Sequence, residues 1–198
     1  MQKMSLSIKV FSVFAILILA ISFLPVKSAQ AAASPISLNN FAAALNNSNA
    51  SQLVGIYIDN ILALRVVQQP SPYFVSSLTN TVTQFGLAAN HGSIGLLAHN
   101  YLSGMHFPTI AIGTKINLIF GDGSIKTYLV EKMKKYLALS PDDLHSDFEN
   151  LDNPSGIISG DQVIKETYGT GELVLQTCLE NNGNLTWGRL FIIASLVE

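Results

Sequence analysis

Cys178 is the only cysteine among the 198 residues of the chain. A cysteine thiolate is a strong nucleophile and can form covalent intermediates with carbonyl substrates. The chain also carries a predicted export signal, and exported proteins normally use their cysteines in pairs, as disulfides. A lone cysteine in such a protein has no intramolecular partner. It is therefore either a buried small apolar residue or a working thiol.

Cysteine catalysis needs a thiolate, a proton donor for the leaving group and a group that stabilises the oxyanion. A nearby cation helps to form the thiolate. Arg189 is the favoured cation, because Cys178 ends one apolar run and Arg189 opens the next. If these runs pair as antiparallel strands, both residues lie at the same end of the sheet. An arginine keeps its proton and can serve there as a fixed donor.

His99 follows the apolar run 94–98 and is the histidine that best fits a strand end. From composition alone, a core histidine bonded to a backbone carbonyl is the better interpretation. The spacing of His91, His99 and His106, without a cysteine pair, argues against a zinc site. The sequence contains no phosphate-binding loop and no serine-nucleophile motif. We therefore expect no cofactor and no metal.

The elements that must position these residues are mostly short strands. Asp122-Gly123 between two apolar runs is a strong hairpin signal. Residues 38–45 predict a short helix within a spacer, 32–51, and residues 76–85 predict a loop or a weak helix. The predicted strands lie at 52–59, 61–68, 94–102, 115–120, 125–130, 173–178 and 189–197, with a loop at 179–188. This pattern predicts a mostly β, closed or partly closed small barrel that forms one domain, 52–198.

The segment 140–172 is longer than an ordinary loop. Ser140 followed by Pro141 and two aspartates is typical of a helix start, so we expect a short helix to about Phe148. Pro154 and four later glycines favour an irregular, mobile loop after it.

The N-terminal region predicts a signal peptide. Lys3 and Lys9 precede an apolar stretch at 10–24, and Ala29-Gln30-Ala31 is typical of a cleavage site. An uncleaved membrane anchor is the alternative, although the stretch is shorter than the ~20 apolar residues that span a bilayer. Cleavage would remove three of the 11 basic side chains and none of the 13 acidic ones. The resulting negative charge excludes a general nucleic-acid binder.

Three segments resemble the sortases, a family of exported cysteine transpeptidases. Residues 174–178, Val-Leu-Gln-Thr-Cys, match the family's TLxTC motif at all but the first position. Residues 97–101, Leu-Ala-His-Asn-Tyr, resemble the segment that carries the family's histidine. Residues 187–192, Trp-Gly-Arg-Leu-Phe-Ile, resemble the strand that carries its arginine. The resemblance covers the chain from about Leu53 to Val197.

The resemblance implies a closed eight-stranded β-barrel with one or two short helices. It implies that Cys178 attacks a carbonyl in a C-terminal sorting motif of an exported protein and forms a thioester. His99 would act as general acid and then as base, and Arg189 would stabilise the oxyanion. The acyl group would pass to an amine of a cell-wall peptide or a pilin subunit. The protein would act outside the cell or at its surface, in contact with the membrane only if the N-terminal segment is retained.

The residues expected to contact substrate lie beside these motifs and in the long segment. Next to the motifs they are Thr177, Ala98, Asn100 and Trp187. In the long segment an apolar wall could be formed by Leu144, Phe148, Ile157 and Ile158. Residues 76–93 contain no acidic side chain, which argues against the calcium site that some sortases have.

Two other functions fit the same residues. A protease on the sortase fold would hydrolyse the thioester with water instead of an amine. A non-catalytic secreted β-barrel binding module would use Cys178 as a buried small apolar residue.

Overall fold

The computed structural model describes residues 36–143, 145–154, 156–169 and 172–197. The predicted signal peptide lies outside this part. The described strands are β1 (Leu53–Ile58), β2 (Leu62–Gln68), β3 (Thr81–Phe85), β4 (Ile94–Leu97), β5 (Lys115–Phe120), β6 (Ile125–Ala138), β7 (Phe148–Asn150), β8 (Ile157–Ile158), β9 (Leu173–Asn181) and β10 (Asn184–Leu196). The described helices are α1 (Leu38–Leu45), α2 (Gly86–Asn90), α3 (Gly160–Tyr168) and a 3-10 helix, Ser103–Thr109.

Eight of the strands close into a barrel. They are hydrogen-bonded in the order β10-β9-β4-β3-β2-β1-β5-β6, and β6 pairs with β10 to complete the ring. Strands β7 and β8 continue from β6 outside the ring. The predicted closed eight-stranded barrel is confirmed, although the described residues form three α-helices and a 3-10 helix rather than one or two helices.

Strands β9 and β10 are buried on both faces near the centre of the fold. Leu175 and Ile192 point into the barrel core. Their neighbours Val174 and Phe191 point the other way, into an outer core that α3 covers with Tyr168. Side chains alternate between the faces of a strand, so burial of both faces explains why these strands read as continuous apolar runs.

The helix predicted at 38–45 is confirmed as α1. The Ser37 side chain caps it by accepting a hydrogen bond from Asn40 N at 3.4 Å. Its apolar side packs on β1, where Gly55 leaves room for Leu45 and Phe41.

The helix predicted from 140 to about 148 is wrong. Residues 139–143 form a turn in which Asp143 N donates to Ser140 O at 2.9 Å, and the Asp143 side chain accepts from His145 N at 2.8 Å. Strand β6 runs on to Ala138 and pairs there with β7, so Phe148 begins a strand. Pairing with β7 therefore overrides the local helix signal.

The irregular loop predicted after Pro154 contains a strand and a helix. Ser159 caps α3 by accepting from Gln162 N at 3.2 Å, and Gly169 follows the last helical residue. The glycines thus mark the two ends of a helix, an ordinary place for them, rather than a loop. Val163 and Tyr168 turn its apolar side into the outer core.

Three other boundaries differ from the sequence-based prediction. The loop or weak helix predicted at 76–85 contains β3, whose β-branched Thr81, Val82 and Thr83 suit a strand. Strand β4 ends at Leu97, before His99. Strands β9 and β10 extend through the predicted loop to a tight turn at Asn182-Gly183, where both residues have positive φ. No helix within the described ranges has the length and apolar character needed to cross a membrane.

Candidate active site

Cys178 and Arg189 lie directly opposite each other on the antiparallel strands β9 and β10. Residues paired in this way point to the same face of a sheet, so the predicted juxtaposition is confirmed. Their face is the outer one, because Phe191 also points outward into the outer core. Burial raises the pKa of the Cys178 thiol, and the Arg189 cation lowers that pKa by a smaller amount, so the net pKa stays above its ordinary value.

Thr177 joins the Cys178 strand to the His99 segment. Its side chain is only 3% exposed, and its hydroxyl donates to Ala98 O at 2.8 Å. Ala98 N in turn donates to Gln176 O at 3.2 Å. These bonds continue the parallel pairing of β4 with β9 beyond Leu97. Consequently His99, just beyond the end of β4, and Cys178, within β9, both follow the bonded pair on neighbouring parallel segments at the same end of the barrel.

The turn that carries His99 is fixed by several contacts. The His99 carbonyl accepts hydrogen bonds from Leu102 N and Gly104 N, both at 3.0 Å. A Cβ on Gly104 would collide with the Thr177 hydroxyl and would come within 2.8 Å of the carbonyl oxygens of Ala98 and His99. The turn therefore requires glycine at this position because of close approach.

Two side chains after His99 complete this part of the site. Asn100 Nδ2 donates to Leu185 O at 2.8 Å, which connects the turn to the β9–β10 hairpin. The ring of Tyr101 stacks on the imidazole of His99, with centroids 5.0 Å apart and planes 19° apart.

Arg189 is held mainly by backbone carbonyls. Its Nη1 donates to Thr186 O at 2.8 Å and to Gly188 O at 2.9 Å, and its Nη2 donates to Pro141 O at 3.3 Å. The Thr186 hydroxyl and Asp142 Oδ1 are 3.1 Å apart, so the 139–143 turn touches the hairpin twice. The ion pair found among the described residues joins Lys134 and Glu166. Hence no carboxylate of the described chain neutralises Arg189.

The predicted substrate-contacting residues are not all exposed. Thr177 is buried, as noted, and Ala98 is 7% exposed within the barrel core. Phe148 is 8% exposed and packs edge-on against Tyr136 in the outer core, so its side chain is not part of an open surface. These three side chains support the fold around the site instead of facing a peptide.

The remaining members of that set keep accessible surface or cannot be placed. Ile157 is 68% exposed on β8, at the outer edge of the sheet, whereas Ile158 packs partly against the outer core. Trp187 is half-buried on β10, two residues before Arg189. Leu144 lies outside the described residues.

Tyr101, Gly104 and the Pro141 carbonyl were missed by the sequence analysis. An aromatic residue two positions after a candidate histidine was the available signal for Tyr101. Every residue, proline included, carries a backbone carbonyl, so side-chain patterns could not single out the carbonyl of Pro141. Within the described residues, no group of three or more histidine, cysteine or acidic side chains could hold a metal ion.

Comparison with protein-family models and with curated proteins gives no match. Among solved structures, the chain is similar to a lid mutant of sortase A from Corynebacterium diphtheriae, with a TM-score of 0.47 and 15% identity, over 74% of this chain and 70% of that one. It is also similar to sortase A of Listeria monocytogenes, with a TM-score of 0.45 and 15% identity, over 74% and 88% of the two chains. A third similar structure is Clostridium perfringens sortase C with the C-terminal cell wall sorting motif, with a TM-score of 0.46 and 16% identity, over 77% and 74%.

Proposed function

We propose that this protein is an exported cysteine transpeptidase of the sortase type. The observation that carries the proposal is the pairing of Cys178 with Arg189 across β9 and β10. A lone thiol thus faces a permanent cation that lacks a carboxylate partner in the described chain. The Thr177–Ala98 bond adds His99 at the end of the adjoining strand.

The first half-reaction forms a thioester. The thiolate form of Cys178, a minor fraction that the Arg189 cation favours, attacks with Sγ the carbonyl carbon of a peptide bond in the C-terminal sorting motif of an exported protein. Arg189 N–H groups donate hydrogen bonds to the oxyanion that develops on the carbonyl oxygen. When the tetrahedral intermediate collapses, the C–N bond breaks and His99, as imidazolium, gives its proton to the leaving amine.

The second half-reaction transfers the acyl group. An amine of a cell-wall peptide or a pilin subunit attacks the thioester carbonyl, and neutral His99 accepts the proton that this amine loses. The C–S bond breaks, a new amide forms and Cys178 is released. These steps take place outside the cell or at its surface, at the membrane if the N-terminal segment is retained.

Intact-mass measurement of the exported protein tests the proposal, after incubation with a library of candidate sorting peptides. We expect an acyl adduct on Cys178 that is absent in Cys178→Ala and diminished in His99→Ala and Arg189→Gln. Peptide cleavage by a folded Cys178→Ala variant would contradict it. Product analysis with and without added amines then separates transfer from hydrolysis, since a hydrolase gives the same products in both.

The pH dependence of Cys178 alkylation tests the electrostatic part of the site. The thiol form predominates at neutral pH because the net pKa of Cys178 is raised, so we expect the alkylation rate to climb as pH rises through and above ~8.5. Arg189→Gln removes the lowering effect of the cation and should move the profile to higher pH. An unchanged profile in that variant would show that Arg189 does not act on the thiol.

A further inference from the structure

The backbone of His99 is fixed, but a fixed backbone does not orient a side chain. The backbone carbonyls before and after the His99 Cα both accept hydrogen bonds. Ala98 O accepts from the Thr177 hydroxyl, and His99 O accepts from Leu102 N and Gly104 N. Rotation about the side-chain torsions of His99 remains free under these contacts. A general acid must bring one ring nitrogen to within about 3 Å of the atom that it protonates.

The imidazole of His99 is held by a contact of another kind. The Tyr101 ring lies almost parallel to it, 19° from coplanar and 5.0 Å between centroids. This offset-stacked range is favourable for aromatic pairs. Stacking uses the face of the imidazole, whereas a hydrogen bond would use a nitrogen. Both His99 nitrogens can therefore exchange protons with substrate while the ring plane stays restricted.

Tyr101 itself makes this contact from an exposed position. It is 55% exposed, while His99 is half-buried. The next residue back, Asn100, is bonded to Leu185 O of the β9–β10 hairpin. The residue next to Tyr101 is thus bonded to the same hairpin that carries Arg189.

We propose that Tyr101 is a positioning residue that orients the His99 imidazole for proton transfer. The inference rests on the proposed function for its kinetic consequence, but the orientation itself is a property of the free protein. The aromatic ring performs this role and the phenol hydroxyl is not needed. A tyrosine that bound substrate directly would instead act on KM.

The test compares Tyr101→Ala with Tyr101→Phe in the full-length protein. Tyr73→Ala is the matched control, because Tyr73 is also exposed, at 68%, and its ring pairs with no other aromatic ring of the described residues. In the free protein, NMR should show the His99 ring protons shifted upfield by the Tyr101 ring current. The shift should persist in Tyr101→Phe and in the control and disappear in Tyr101→Ala.

Kinetics with a cleaved sorting peptide give the second readout. We expect kcat to fall roughly 10- to 100-fold in Tyr101→Ala with KM little changed, as for a misplaced catalytic group, and Tyr101→Phe to restore it. A loss confined to KM, an unchanged kcat, or equal losses in the Phe and Ala variants would each overturn the inference. If the wild-type protein cleaves no peptide, the proposed function fails, while the ring-current comparison still decides whether Tyr101 orients His99.

Discussion

The two sides of the candidate active site are held by different kinds of contact. On the His99 side, a buried hydroxyl, a close-approaching glycine and two backbone bonds fix the turn. On the Arg189 side, the guanidinium touches the 139–143 turn through one long bond to Pro141 O, at 3.3 Å. The second contact there involves Asp142, which is exposed.

The two sets of contacts should contribute unequally to the free energy of unfolding. Breaking a buried hydrogen bond leaves an unsatisfied polar group and costs about 1–3 kcal/mol, whereas an exposed bond is replaced by water. The turn that carries His99 is therefore held by buried contacts, whereas the turn that contacts Arg189 is held by contacts at the surface. Substitutions on the two sides should therefore differ in their cost to the free energy of unfolding.

Gly104→Ala should be the most damaging change on the His99 side. The new Cβ would meet the Thr177 hydroxyl and the carbonyl oxygens of Ala98 and His99, none of which can move freely. We expect a loss of roughly 3 kcal/mol in the free energy of unfolding, at the upper end for overpacking, together with loss of peptide cleavage. Urea denaturation measures the first. Gly86→Ala is the matched control, because φ is not positive there and the nearest atom to a new Cβ is Gln69 Oε1 at 3.4 Å; an equal loss in both variants would contradict the steric explanation.

Thr177→Val should cost about 1–2 kcal/mol, because Val keeps the shape of threonine but leaves Ala98 O without its hydroxyl donor. Thr177→Ser keeps the donor and is the matched variant. We expect chemical denaturation to rank the proteins wild type, Ser, Val, and cleavage activity to follow the same order. If Val proved as stable as Ser, the hydroxyl bond would not join the two strands as described.

Thr186→Val should have the smallest effect, within about 0.5 kcal/mol of wild type, as is usual for surface changes. It removes the hydroxyl that faces Asp142 but leaves the Thr186 carbonyl that holds Arg189. Thr186→Ser serves as its control. A thermal-unfolding comparison with Thr177→Val makes the contrast quantitative, and a loss as large as that of Thr177→Val would abolish the distinction between the two sides.

The sequence predicted the barrel from its number of short apolar runs, and the Cys178–Arg189 pair from two such runs that follow each other along the chain. Apolar runs mark strands, and consecutive strands commonly pair as neighbours, although the loop predicted at 179–188 is mostly strand. The same reasoning failed in the 140–172 segment. There Ser140 and Pro141 looked like a helix start, but the long-range pairing of β6 with β7 decided the structure.

The residues around His99 were missed by the sequence-based prediction for a related reason. The roles of Gly104 and Tyr101 depend on which atoms of Thr177 and His99 approach them in space. Parallel pairing of β4 and β9 joins segments that are almost eighty residues apart in the sequence, and no periodicity within either segment encodes that contact. The motif singled out Thr177, but it did not show that the Thr177 hydroxyl donates a hydrogen bond to Ala98 O on the neighbouring segment.

The long strand β6 has three partners. Its first residues pair with β5, its last with β7, and β10 lies along the other edge from Tyr128 to Leu137. The β6–β10 ladder closes the barrel by itself, and β7 pairs with β6 on the opposite edge, at Tyr136–Ala138. The turn that follows β6 and contacts Arg189 through Pro141 O therefore takes no part in closing the ring. Such a layout lets evolution, or a protein engineer, exchange the surroundings of Arg189 while the strands that carry Cys178 and Arg189 stay in register.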